Sequence, residues 1–290
     1  MKLKFLGYTL FIAACILFSL YVRFPGETAA RYLEQTLSQL QSNVTLEIDT
    51  VHPSFPPGIT ADEVNVYYAG SPVVTLNRLT SAVDVTSLFG TPVTGSFKTR
   101  VFDGILSGVM HVSRETPRDA SVKAELKDLK LNKIPLGKFL SDSTLSGILN
   151  GTLTTGFKHR KLLKNEGDMI VSNIVLQFQD PLFSIETYSF SSGTLKFSMP
   201  RDQTIRIDDF SVTGRQLDLH SSGDIRVAEI FQNSRLNLTA RVVLHPLFFM
   251  DAGDSVPVDV SKTDVDNAIL HLRIGGTIEQ PTIAMDPGEK

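Results

Sequence analysis

The sequence predicts a mainly β fold: a single N-terminal transmembrane helix, a short amphipathic helix, then a curled antiparallel β-sheet shaped as a trough or a sandwich. Three observations carry this expectation. Apolar residues recur at every second position through most of the chain, few stretches have helical periodicity, and one run near the start is uncharged for eighteen residues.

That run, Phe5 to Val22, reads FLGYTLFIAACILFSLYV. At helical rise it extends about 27 Å, close to the thickness of a bilayer core. Lys2 and Lys4 precede it and only Arg23 follows at once, so the positive-inside bias keeps residues 1–4 in the cytoplasm, makes 5–22 the transmembrane helix and sends the remainder across. In a bacterium that destination is the periplasm, with the protein single-pass in the inner membrane. A cleaved signal peptide would end at a small-x-small site, and none follows the run. Ile12-Ala13-Ala14-Cys15 has the look of a lipobox, yet apolar residues instead of a polar tether follow Cys15. Cys15 is the only cysteine, so the exported part forms no internal disulfide.

Residues 23–42 are expected to be an amphipathic helical linker. Ala29, Leu33, Leu37 and Leu40 recur at helical spacing, with Arg31, Glu34, Gln35 and Gln39 on the other faces and Glu27 four residues before Arg31. Its expected role is to plug the end of the β body; the rival role is to lie on the membrane surface.

From residue 43 to 290 the period is two. Val44, Leu46 and Ile48 open it, and Val64 with Val66 resume it after a Pro-rich segment. The clearest rows run Leu145 to Phe157, Ile170 to Phe178, Leu217 to Val227, Leu236 to Leu244 and Leu270 to Ile278, each expected on one face of a strand. Around Asp208-Asp209 the phase slips, which predicts a bulge, and similar slips are expected at other acidic pairs. Only Pro135 to Ser141 reads as a helix or turn inside this body.

A sheet with one apolar face must bury it, and this chain offers almost no helices as cover. The sheet must fold onto its own face, helped by strand glycines such as Gly147, Gly151, Gly214, Gly223, Gly275 and Gly276. A filled core and a lipid-sized groove share this signature. Either is lined by Leu145, Leu149, Leu153, Ile174, Leu176, Leu219, Ile225 and Leu238.

Catalytic signals are missing. The six histidines are scattered without a partner at metal-motif spacing, and there is no G-x-S-x-G elbow and no phosphate-binding Gly-rich loop. The expectation is a non-enzymatic protein without a cofactor or bound metal. After residue 23 the chain carries 25 basic against 31 acidic side chains, a poor balance for nucleic acid. The strongest basic cluster, Lys158, Arg160, Lys161 and Lys164, reads as a solvated hairpin loop, with docking on lipid headgroups or an acidic partner as its alternative role.

Together with the N-terminal anchor, three short segments carry a resemblance: Arg23-Phe24-Pro25 with the helix after it, Pro53-Ser-Phe-Pro-Pro-Gly-Ile59, and Ile274-Gly-Gly-Thr-Ile-Glu-Gln-Pro-Thr-Ile283. In this order the chain resembles the type II secretion system protein N (GspN) family. Its terminal G-T-I-x-x-P is also similar to AsmA-like envelope proteins. The resemblance implies an inner-membrane protein with a periplasmic β body, associated with other type II secretion components, and brings no active-site residues. The AsmA-like side implies an apolar β groove and a phospholipid or other envelope lipid as partner.

Overall fold

The computed structural model describes Tyr8, Phe11, Ile12, Cys15 and Ser19, and residues 21–40, 44–55, 57–68, 70–116, 119–134, 143–158, 161–199, 203–228, 230–253 and 268–285. Among them two helices are α1 (Gly26–Leu40) and α2 (Pro246–Ala252). The strands are β1 (Val44–Ile48), β2 (Val51–Ser54), β3 (Gly58–Tyr68), β4 (Ser71–Val83), β5 (Val93–Val101), β6 (Gly104–Val112), β7 (Ala120–Lys130) and β8 (Ser143–Lys158). They continue as β9 (Lys161–Leu182), β10 (Ile185–Met199), β11 (Thr204–Gly214), β12 (Leu217–Arg226), β13 (Arg235–Leu244), β14 (Ile269–Gly276) and β15 (Pro281–Met285).

All fifteen strands belong to one antiparallel sheet. From β3 to β15 each strand pairs with its neighbours in sequence, while β1 and β2 share the outer edge of β3. The sheet is not closed, and no second sheet faces it among the described residues, so of the two expected shapes the trough is found and the sandwich is not.

Pairing register places the apolar rows on a single face over the whole sheet. One such line crosses from Leu126 on β7 to Gly151, Met169, Leu195, Phe210, Ser221, Ala240 and Leu272, ending at Met285 on β15. The opposite face carries Lys98, Lys123, Glu125, Thr152, Asp168, Lys196, Asp209, Arg241 and Arg273. Binary patterning has thus separated oil from water across one layer.

Bulges keep that separation where alternation alone would fail. At Asp208-Asp209 the ladder slips against both β10 and β12, as expected. The acidic pair Asp62-Glu63 does the same work, lying exposed between buried Ala61 and Val64. One expectation is corrected. Ile170 and Ser172 do not share the face of Ile174, Leu176 and Phe178, because Asn173 adopts φ 53° and shifts the register by one. Ile170 therefore sits 53% exposed on the polar face, and Met169 and Val171 turn inward in its place.

The sheet coils sharply. Above Gly193 on β10, side chains from both flanking strands approach: a Cβ there would meet Val212 Cγ1 at 2.8 Å and Ile174 Cδ1 at 2.9 Å. At Gly223, φ is 141° and a Cβ would run into the Asn237 carbonyl. Both positions require glycine for close approach. The chain exposes 19569 Å², against about 12,000 Å² for a compact monomer of its 31.9 kDa.

Three segments cover parts of the apolar face. Helix α1 lays Ala29, Ala30 and Leu33 against Val51, Ala61 and Val64, so the expected plug at the end of the body is found; the side chains of Leu37 and Leu40 lie outside the described residues. Leu131 and Ile134, just after β7, fold back over Val101, Leu129 and Leu149. Helix α2 seats Phe248 and Ala252 on Tyr188 and Leu244. This second helix was not expected from sequence, whereas Pro135 to Ser141, where a helix or turn was, lies outside the described residues.

Of the run 5–22, the described Tyr8, Phe11, Ile12, Cys15, Ser19, Tyr21 and Val22 are helical; the rest, and residues 1–4, lie outside the described set. Among the described residues no helix is long and apolar enough to cross a membrane.

Candidate functional site: an open apolar trough

The eight leucines and isoleucines singled out in the sequence all face the trough, although they do not converge on one spot. Leu149 is buried with Leu131 and Leu145 under the turn after β7. Ile174 is buried beside Gly193. Leu153, Leu219, Ile225 and Leu238 are half-buried along the floor. Of the eight, only Leu176 lines an apolar cavity at the β9–β15 end of the trough.

That cavity, about 490 Å³, lies between β9 and β15 beneath α2. Leu176 on β9 and Met285 on β15 line the same space although several strands separate them, which is a direct consequence of the curl. Among the described residues fourteen side chains line it and none is charged. The one polar group among them is the Tyr188 hydroxyl, which donates to the Leu182 carbonyl at 2.9 Å. Burial pushes the Tyr188 phenol up to about 12, so it stays neutral across the physiological range.

Aromatic rings shape one end. Phe248 is 3% exposed and stacks edge-on against Phe249 at 5.6 Å and Phe183 at 5.7 Å. Phe183 reaches it from the β9–β10 hairpin, where Phe183 at φ 54° and Ser184 at φ 60° form a two-residue turn with both central residues left-handed. A phenylalanine is an unfavourable choice for such a turn. Its ring contact with the helix supplies the compensation. The β5–β6 hairpin repeats the device with Phe102 at φ 50°, packed under the central cover, and Asp103 at φ 62°. Sequence patterning missed both turns, since neither is an Asn-Gly or Asp-Gly pair. It also missed α2, although Pro246 at its first position and Gly253 at its end are start and stop signals.

A larger hollow of about 640 Å³ lies across β4 to β8 and is lined by Lys98, Lys123, Glu125 and several Ser and Thr residues. It is a shallow saddle whose lining mixes these groups with Ala82, Phe97, Val109 and Ala124. Among the described residues no group of three or more His, Cys, Asp or Glu is placed to hold a metal ion.

The basic cluster is not brought to the cavity. Lys158 ends β8, and Lys161 and Lys164 begin β9; the side chains of these three, and Arg160 altogether, lie outside the described residues. Leu176 is fifteen residues further along β9, roughly 50 Å from Lys161 at strand rise. Comparison with protein-family models, curated proteins and solved structures finds no match to the chain.

Proposed function

We propose that this chain is a non-enzymatic, membrane-anchored envelope protein whose open β trough holds the acyl chain of a lipid. The observation that carries the reading is the cavity of about 490 Å³, without a charged side chain among the described lining residues, in a sheet whose apolar face continues beyond it toward β7. At about 30 Å³ per methylene, the share of a water molecule in the liquid, that space takes roughly sixteen methylenes. Each buried methylene contributes ~0.8 kcal/mol, so an acyl chain gains ~13 kcal/mol before the costs of binding.

The N-terminal run supports an anchor. Tyr8, Phe11, Ile12, Tyr21 and Val22 are helical, and each is exposed by more than half. In a bilayer that surface is satisfied by lipid tails. The basic residues before the run support an orientation with the body across the membrane, which in a bacterium is the periplasmic side of the inner membrane.

Mass spectrometry of the full-length protein, ejected intact from detergent, tests the reading. The expected spectrum contains a species heavier than the chain by one acyl lipid, and the bare chain mass alone counts against it. The second reading, a component of type II secretion, rests on the three resembling segments and is favoured by the outer edge of β15, which no described residue covers. In that case deletion abolishes release of exported proteins while the lipid profile of the membrane stays unchanged.

A further inference from the structure

The two edges of the sheet are not equivalent. At β1 the outward Ile48 N–H already donates to Glu34 Oε1 at 2.8 Å, and α1 lies over the first strands. A carboxylate held on an edge amide discourages another strand from pairing there. At β15 no described residue does the same.

Backbone register shows what β15 offers. Thr277 N–H donates to the Gln280 carbonyl, so this two-residue hairpin starts from a bonded pair. Bonded and non-bonded pairs alternate along an antiparallel ladder. Gly275 with Thr282 and Arg273 with Ala284 are then bonded, whereas Ile274 with Ile283 and Leu272 with Met285 are not. The N–H and C=O groups of Ile283 and Met285 therefore point away from β14. Their side chains lie on the apolar face, 66% and 57% exposed, and form the last wall of the cavity. Among the described residues, backbone groups and apolar side chains are thus left unpartnered along one five-residue line.

We propose that the outer edge of β15 is a strand-addition site for an extended segment of another protein, one with alternating apolar residues, which continues the apolar trough into the partner. Main-chain bonds would come from Ile283 and Met285, and selectivity from apolar side chains entering beside them. A second copy is the poorer occupant. The sheet is about 60 Å long at strand spacing, and β15 lies at the end away from the N-terminal run. Two copies joined through β15 would point their N-terminal segments to opposite ends. This choice between occupants rests on the anchor in the proposed function; the open edge does not.

The test is photo-cross-linking of the full-length protein in the cells that produce it, with a photoreactive residue at Thr282 or Ala284, both on the hydrophilic face. Adducts are mapped by mass spectrometry. The expected result is an adduct to an extended, alternating segment of one other protein, lost in Ile283→Pro, which removes an outward N–H, and retained in Ile283→Ala, which keeps it. Adducts only to residues 254–267 of the same chain, to a second copy, to lipid, or none at all overturn the proposal. So does an adduct that survives Ile283→Pro unchanged. Lipid content is measured on the same material: lipid without adducts removes the edge site alone, and adducts without lipid remove the acyl-chain reading alone.

Discussion

Replacing Leu176 by lysine is expected to empty the trough. Leu176 sits on β9 in the wall of the 490 Å³ cavity, and among the described residues no acidic side chain lines that space to neutralise an ammonium. An acyl chain seated there would have to desolvate the charge, at a cost of several kcal/mol. With ~1.4 kcal/mol per tenfold change in affinity, lipid occupancy should fall by roughly a hundredfold or more. Leu176 is only half-buried, so the lysine of the empty protein can reach solvent through the open side, and the fold should persist. Thr152→Lys supplies the comparison, since Thr152 is exposed on the hydrophilic face of β8. Lipid bound per chain should be unchanged in that variant. Equal occupancy in both would mean that the cavity does not hold the lipid.

Phe248→Ala should produce the largest loss of stability. The ring is buried, contacts Phe183 and Phe249 edge-on, and fixes α2 to Tyr188 and Leu244. Truncating a buried phenylalanine costs about 3–5 kcal/mol, through lost transfer energy and the void left behind. For a body of this size that lowers the melting temperature by roughly 6–15 °C. Met250→Ala, in the same helix but 78% exposed, should stay within about 0.5 kcal/mol of the parent. Similar melting of the two variants would show that α2 is not held on the sheet by its inward face.

Much of the fold is legible in the chain because a half-buried strand has to alternate. The rows Leu217 to Val227 and Leu236 to Leu244 appear on the apolar face as read, and the phase slip at Asp208-Asp209 is a real bulge. The signal fails where one residue changes phase without a compositional mark. Asn173 is an example: asparagine tolerates left-handed backbone better than most residues, and its single step moves Ile170 to the other face. Curl itself was expected, but which strands it brings together was not legible, since it accumulates from small rotations between strands and from tight approaches such as Val212 and Ile174 over Gly193. The cavity depends on that curl, which is why only Leu176 among the eight singled-out residues belongs to it. Phe183, Tyr188 and Phe248 lie outside the clean rows or look like ordinary core, and only three-dimensional packing gathers them.

The most direct measurement uses a phospholipid with a photoactivatable group at the end of its acyl chain, supplied in nanodiscs to the full-length protein. Mapping of the adducts should place them on trough residues such as Leu217, Val242, Phe248 and Leu270. Adducts confined to residues 5–22, or to the hydrophilic face around Lys98 and Lys123, would contradict an acyl chain lying along the sheet.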